Sequence, residues 1–428
     1  SSEKSNHIMP PPTPTRILLL NPPLNLQDLF GKYKDSGGLT YLNGLAMLSG
    51  VAKQQFKDGV EIKIVDAEVE ELTLAEVKDL FRTFRPDILG LTSMTPLIYS
   101  AYKCAAAAKE VRPETFVILG GPHITEEPDG TLAECGEIDV GVLGEGELTF
   151  VDLIRFVKTG LPTLADIDGI IFRNGEAGKV TTRDRKKIRD LDELPFPDYG
   201  QFRMDLYNPP VHKYKIDNTF SIVTSRGCPY SCTFCSTAVH TKKYRTYSPE
   251  RVVDEIQFLK ESYGARGITI QDSLFTMHRR RVVEICENLI ERQLNIKWAA
   301  NARVDQVDKE LLTLMKRAGC WVLAFGVESG NQHMLDQMKK KYKLDRAPEA
   351  IRMTREARIE TRASYLLGLP GETYESAMKT IAFAKDIASN VATFHFAVPF
   401  PGTELLTQCR SDSNYQDIPW GKMVLMGD

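Results

Sequence analysis

The sequence predicts an α/β protein with two successive parallel sheets, a doubly wound N-terminal sheet and then a partial (βα)6 barrel. Two stretches of alternation carry this. Five short apolar runs alternate with helical periodicity between residues 16 and 157, and six more do so between residues 220 and 397. Most of these runs end in Gly, Pro, Asn or Ser, as a buried strand does where it passes into a loop. The chain has 428 residues, 42% hydrophobic and 26% charged, which suits two to three domains with sizeable cores.

Residues 1–14 form a disordered or polyproline lead-in, with Pro10, Pro11, Pro12 and Pro14. There is no initiator Met, so the first few residues read as a cloning remnant. The first domain covers 15–165. A buried strand over 16–20 is stopped by Asn21-Pro22-Pro23, and helical spacing follows over 39–56. A strand over 61–65 ends at Asp66, and a helix over 74–84 is closed by Arg85-Pro86. The strand over 87–91 ends in Thr92-Ser93-Met94-Thr95-Pro96 and leads to an alanine-rich helix over 99–111. The strand over 116–119 ends in Gly120-Gly121-Pro122-His123. A fifth strand over 139–143 ends in Gly144-Glu145-Gly146-Glu147, with a helix running to Val157.

Right-handed crossovers bring these loops to the carboxyl edge of the sheet, where doubly wound folds bind ligands. Each loop also has a plain structural reading. Pro22 and Pro23 stop a strand, Gly120-Gly121-Pro122 makes a turn, Glu145 and Glu147 favour a helix N-terminus, and His123 alone is a packed or surface histidine. Their gathering on one edge makes them candidate ligand contacts.

Residues 166–215 read as hairpin and linker. A hairpin over 169–182 turns at Asn174-Gly175, and the run Arg183, Asp184, Arg185, Lys186, Lys187 is a solvated connection. A proline-stiffened segment over 191–199 has Phe196 and Tyr199 as anchors.

The second domain covers 216–428, with strands over 220–224, 267–270, 297–301, 321–327, 363–367 and 393–397. Helices over 251–261 and 351–358 lie between them. Their carboxyl ends, where barrels carry chemistry, hold Gln271-Asp272-Ser273, Arg303, Glu328-Ser329-Gly330 and Gly368-Leu369-Pro370-Gly371. Asp272 can also be a helix cap and Arg303 a surface ion pair. Lys339-Lys340-Lys341 reads as a solvated helix end.

The first barrel strand delivers Cys228-Pro229-Tyr230-Ser231-Cys232-Thr233-Phe234-Cys235 through Arg226-Gly227. Thiolates at this spacing can converge on a soft metal centre. Three of them leave a cubane iron–sulfur cluster one thiolate short, with an open iron able to bind a small molecule and pass it an electron. The competing reading is a zinc-stabilised, non-catalytic binding protein, with His240 as fourth ligand. Cys104, Cys135, Cys286, Cys320 and Cys409 are dispersed and read as buried small hydrophobes.

The cysteine spacing resembles the signature of radical S-adenosylmethionine (SAM) enzymes. That resemblance implies a 4Fe–4S cluster on Cys228, Cys232 and Cys235, with SAM chelated at the open iron and cleaved reductively to a 5′-deoxyadenosyl radical. It puts Phe234 and Leu366 near the adenine, Asp272 and Ser273 at the SAM amino group, Glu328 and Ser329 at the amino group or ribose, and Arg303 near the carboxylate. The first domain is similar to the cobalamin-binding domain that precedes many radical SAM domains. Candidate cobalamin contacts are then Asn21, Pro22, Ser93, Met94, Thr95, Gly120, Gly121, Pro122, His123, Gly144, Glu145, Gly146 and Glu147. The Asp-x-His-x-x-Gly motif of other cobalamin proteins is absent, so no lower axial ligand is named.

Over residues 15–405 the resemblance implies a cobalamin-dependent radical SAM enzyme, most commonly one that methylates an unactivated carbon through methylcobalamin. Cyclisation, ring contraction or carbon–carbon coupling without methyl transfer is the alternative within radical chemistry. A small-molecule or natural-product substrate and a flavodoxin or ferredoxin-type electron donor follow from the same resemblance. No side chain stands out as a general base. The net charge of −3 gives no case for nucleic acid. No apolar run nears the roughly 18 residues of a membrane span. The polar first residues are unlike a secretory leader, and the cysteine usage suits a reducing cytoplasm. Only a short tail follows the sixth strand, where the resemblance leads one to expect a longer region; this reads as a compact or shortened chain and leaves the substrate open.

Overall fold

The computed structural model describes residues 13–24, 42–175, 178–207, 216–236 and 239–423. Residues 1–12 of the predicted lead-in over 1–14 and the start of the 39–56 helix lie outside these residues. Strands are numbered β1 to β15 in chain order.

The first sheet takes in β1 (Thr15–Asn21), β2 (Val60–Asp66), β3 (Ile88–Thr92), β4 (Phe116–Gly120), β5 (Val140–Val142), β6 (Ile170–Arg173) and β7 (Lys179–Thr181), in the order β2-β1-β3-β4-β5-β6-β7. β1 to β5 are parallel. The interior strand β1 shows why the apolar run does not alternate: Leu18 and Leu20 enter one core cluster, Ile17 and Leu19 the other, and all four are fully buried. A strand with helices on both faces has no solvated side to encode. Strand order reverses between β1 and β3, so the ends of β1, β3 and β4 flank the switch point.

The hairpin that the sequence grouped with the linker extends this sheet. β6 pairs antiparallel with β5, and β7 with β6. Ile170, Ile171 and Phe172 are all buried, so β6 is an interior strand. The charged run after it is only partly solvated: Arg183 is exposed, but Arg185 pairs with Asp152 at 2.6 Å and Lys187 Nζ donates to the Val239 carbonyl at 3.2 Å.

The second sheet is all parallel: β8 (Thr219–Ile222), β11 (Gly267–Ile270), β12 (Lys297–Ala302), β13 (Cys320–Glu328), β14 (Glu360–Leu367) and β15 (Val391–Phe396) stand in the order β15-β14-β13-β12-β11-β8. Register sorts its faces. Phe220, Ile222, Ile268, Trp298, Leu323, Phe325 and Tyr365 belong to a continuous core with the helices. Ser221, Thr269 and Ala299 align on the other face, as do Asn301, Ala324, Gly326 and Ser364. Small and polar residues on this inner face leave it room for a ligand.

The linker is seated on both halves. Asp198 accepts from Ser49 Oγ at 2.6 Å and pairs with Lys53 at 2.6 Å, both on the helix Asn43–Phe56. Phe196 stacks on Phe258 at 5.2 Å with the Arg251 guanidinium over it, and the Tyr199 hydroxyl donates to Glu255. After the helix Glu404–Arg410 the chain returns to the first domain, where Trp420 meets His123 edge-on at 5.3 Å. Among the described residues no helix is long and apolar enough to cross a membrane.

Candidate functional site

The cysteines ride on a loop closed at its neck by a short antiparallel ribbon, β9 (Ser225–Arg226) with β10 (Arg245–Thr246). Gly227 turns the chain out of the ribbon at φ +84°; a Cβ there would collide with the Lys243 and Thr241 carbonyls, so only glycine fits. Inside the loop, Cys228 N donates to Thr241 O at 3.2 Å and Cys235 N to Cys232 O at 3.1 Å. Two backbone hydrogen bonds tie it to the rest of the barrel: Thr233 N donates to Met338 O, and Leu405 N to Thr233 O.

All three thiols are free. Burial, and then the neighbouring Cys232 and Cys228 charges, push the Cys235 thiol up to about 11. Burial raises Cys232 as well, with Cys228 contributing and Lys340 opposing. The sulfurs therefore share one electrostatic neighbourhood. Among the described residues no three His, Cys, Asp or Glu side chains gather at the spacing of one metal ion's ligands. Three thiols on one loop are the donor chemistry of an iron–sulfur cluster, whose charge would ionise them. His240 directs Nδ1 to Glu145 Oε1 at 3.3 Å, into the first domain.

Asp272 differs from expectation. Its Oδ1 accepts from Thr224 N at 2.6 Å and Ser225 N at 3.1 Å, and its Oδ2 from the Thr224 and Ser225 hydroxyls at 2.6 Å each. With four donors around a fully buried carboxylate, it is spent on the strand that feeds the cysteine loop rather than open to SAM. Ser329 is also occupied, by Thr380 Oγ1 at 3.1 Å and the Asn331 N–H at 3.1 Å. Ser273 is exposed, and Leu366 is buried near the end of β14.

Glu328 sits at the carboxyl end of β13, after a register shift, at φ +67°. A buried non-glycine residue in left-handed backbone is a mark of a functional position. Its partner is Lys340 Nζ at 2.9 Å, and both side chains are about nine-tenths buried. This corrects the solvated reading of the lysine run: Lys339 is exposed and pairs with Glu404, while Lys340 points inward. Lys340 also lies 6.0 Å from the Phe234 ring. Arg303 is buried against the cysteine loop. Its guanidinium stacks 3.8 Å from the Tyr230 ring centroid, chelates Asp305 and donates to Lys340 O at 2.7 Å. Lys340, Tyr230 and Asp305 were missed in the sequence. The signal for Lys340 was there: Met338, Lys340 and Tyr342 alternate, and all three are buried.

On the first sheet, the ends of β1, β3 and β4 come together as neighbours. Asn21 is buried and donates to Asp66 at 2.8 Å and Glu68 at 3.3 Å. Pro22 is buried beside it. Ser93 and Thr95 are buried, while Met94 between them is 59% exposed. Gly120 has open space where a Cβ would stand. Gly121, at φ +106°, lies so close to Ser93 O that a side chain is excluded, and Pro122 opens the next helix. An apolar Met and a bare Gly at the switch point fit the broad face of a corrin. His123 is enclosed: Nδ1 meets Thr95 Oγ1 at 3.2 Å, Trp420 covers the ring, and burial lowers its pKa to about 4.

The fourth loop behaves differently. Gly144 takes φ +77° and donates to Thr125 Oγ1, and Gly146 precedes the helix Glu147–Thr159. Glu145 and Glu147 are buried against barrel arginines: Glu147 accepts from Arg226 at 2.6 Å, and Glu145 from Arg245. Their carboxylates are thus directed at the neck of the cysteine loop rather than at the open edge.

Residues 222–384 match the family model of the radical SAM superfamily, and residues 35–154 that of the B12 binding domain. An uncharacterized methyltransferase of Pyrococcus horikoshii is 34% identical over 383 residues, spanning 89% of this chain and 80% of that one. An anaerobic magnesium-protoporphyrin IX monomethyl ester cyclase of Rubrivivax gelatinosus is 33% identical over 355 residues, 81% of this chain and 63% of the cyclase. The structure of the radical SAM methyltransferase TsrM from Kitasatospora setae, with cobalamin and a 4Fe–4S cluster bound, superimposes with a TM-score of 0.74 at 20% identity. That match covers 95% of this chain and 78% of TsrM.

Proposed function

The chain belongs to the radical SAM proteins that carry a B12-binding domain, and from that premise we propose that it methylates an unactivated carbon of a small-molecule substrate held between its two sheets. The observation that carries this is the pairing of Glu147, at the carboxyl end of the first sheet, with Arg226, two residues before Cys228. This contact supports a reading in which the ligand edges of the two sheets face one chamber.

When bound, the cluster with SAM supplies a hydrogen-abstracting radical, and cobalamin supplies a transferable methyl group. The chain's own residues position and enclose them. Cys228, Cys232 and Cys235 hold the cluster at the barrel mouth. Phe234, Glu328 and Lys340 form the wall that receives SAM, and the salt bridge between the last two offers both charges to its amino acid end. Arg303 fixes Tyr230, and with it the backbone between the first two cysteines. Asp272 acts as a positioning residue for the strand that enters the loop. Asn21, Ser93, Met94 and Gly120 seat the cobalamin, and Trp420 closes the edge beside His123. The enclosure keeps dioxygen and weak-bonded hydrogen donors from the solvent away from a carbon radical.

The cluster must be reduced from outside, which calls for a flavodoxin or ferredoxin-type donor. Eight free cysteines suit a reducing cytoplasm. The net charge of −3 gives no footprint for nucleic acid. The cyclase of Rubrivivax gelatinosus favours a second reading, radical ring closure without methyl transfer. Methyl-labelled SAM with a reductant separates the two. Label that reaches cobalamin and then a product is the expected result. Deoxyadenosine formed with no label on cobalamin would sink the methylation reading in favour of the second.

A further inference from the structure

We propose that Glu145 and Glu147 are positioning residues that lock the neck of the cysteine loop to the first domain. This rests on the reading of the loop as the cluster's holder. The neck pairs Arg226 directly with Arg245 across the two-stranded ribbon. Residues paired in this way send their side chains to the same face, and like charges so placed repel. The barrel leaves that repulsion standing; the first domain cancels it. Glu147 Oε1 meets Arg226 Nη2 at 2.6 Å, Glu145 grips the Arg245 guanidinium with both oxygens, and Glu145 Oε2 lies 3.6 Å from Arg226 Nη1. All four side chains are at most 8% exposed. His240, from the far limb of the same loop, adds its contact to Glu145 at 3.3 Å. The linker joins in: Arg245 Nη1 donates to Ile188 O at 2.6 Å and Lys187 Nζ to Val239 O.

Stability alone is a poor reason for this arrangement. Apolar residues of similar volume would seal a domain seam as well as buried ion pairs or better. The network is also incompletely satisfied: Glu147 Oε2, Arg226 Nη1 and Arg245 Nε are buried with no hydrogen-bond partner. What an ionic clasp of this kind provides is register. Glu145 and Glu147 stand at the end of β5 and the start of the next helix, elements fixed in the first sheet. Cys228 follows Arg226 by two residues. The clasp therefore sets the distance and angle between the cluster and the cobalamin edge.

Two readouts test it, the first without any cofactor. In the cofactor-free protein, iodoacetamide alkylation is mapped by mass spectrometry in the natural sequence, in Glu147→Gln, and in the exchanged pair Glu147→Arg with Arg226→Glu. We expect Glu147→Gln to speed alkylation of the half-buried Cys228 and Cys232 about tenfold while the rates at Cys235, already exposed, and at Cys409 stay the same, and the exchanged pair to restore part of the protection. Unchanged rates, or equal acceleration at every cysteine, would overturn the proposal, because the clasp would then be inert or merely a support for global folding. In the reconstituted protein, cob(II)alamin spin relaxation reports its distance from the reduced cluster. Glu147→Gln should broaden the distance distribution at full iron and cobalamin content; a distribution identical to the natural one refutes the positioning role. Absence of iron from the natural sequence would instead refute the cluster reading, and the alkylation result would still decide the clasp.

Discussion

Replacing Asp272 separates a scaffold role from a SAM contact. The carboxylate has four donors: two backbone N–H groups on Oδ1 and two hydroxyls on Oδ2. In Asp272→Ala the hydroxyls can rotate to nearby carbonyls, but the Thr224 and Ser225 N–H groups are left buried. An orphaned buried donor costs about 1–3 kcal/mol, so the substitution should cost about 3–5 kcal/mol once the lost packing is added. In Asp272→Asn the amide oxygen keeps both N–H bonds, and the amide nitrogen donates to the two hydroxyl oxygens after they turn. The charge assistance is lost, and with it the nearest counter-charge of the buried Arg281 guanidinium, about 2–4 kcal/mol together. Urea unfolding followed by circular dichroism measures both costs, and equilibrium dialysis of SAM on the reconstituted protein gives the functional side. The expected result is a large loss of stability and iron uptake in Asp272→Ala, with near-normal SAM affinity in Asp272→Asn. If Asp272→Asn kept its stability but lost SAM affinity by tenfold or more, the carboxylate would be a SAM ligand and the scaffold reasoning would be refuted.

Other expectations follow from buried charges. Lys340→Met leaves Glu328 unpaired in the barrel mouth and should cost about 3–5 kcal/mol, with much of it recovered in the double variant that adds Glu328→Gln; a thermal-denaturation cycle that proved additive would contradict the pairing. Burial alone would raise the Glu145 pKa, but hydrogen bonds from His240 and Arg245 and the nearby guanidinium charges outweigh it and hold it at about 2. Its contribution is complete above the ordinary value of 4.5 and is lost as pH falls toward 2, so backbone hydrogen exchange in the cysteine loop, corrected for the intrinsic exchange rate, should rise on going from pH 5 to pH 3 in the natural sequence and not in Glu145→Gln. Glu68 runs the other way: burial, then the Asp66 charge, raises it to about 7. That contribution is present below 4.5 and lost as pH rises through 7, so the melting temperature should fall between pH 6 and pH 8, and Glu68→Gln should flatten the fall.

The sequence carried most of the fold because its strands announce themselves locally. β1, buried on both faces, is a run of Ile and Leu, and its stop is written as Asn21-Pro22-Pro23. The cysteine spacing and the polar strand ends were equally local. What escaped was long-range. Nothing near Glu145 says that its partner is Arg245, a hundred residues away. Asp272 looks the same in sequence whether it faces SAM or Thr224. The hairpin over 169–182 gives no local hint that β6 will pair with β5. Lys340 was hidden by its neighbours, since a triple lysine reads as solvated unless the alternation with Met338 and Tyr342 is weighed first.

The most direct test of the central claim, an open iron on three cysteines, is Mössbauer spectroscopy of the protein reconstituted with iron-57 and sulfide. The account predicts about four irons per chain in a 4Fe–4S cluster, one of which changes its isomer shift when SAM is added and none of which assembles in Cys232→Ala. A protein that takes up zinc and no iron, or a cluster whose irons are all indifferent to SAM, would contradict it.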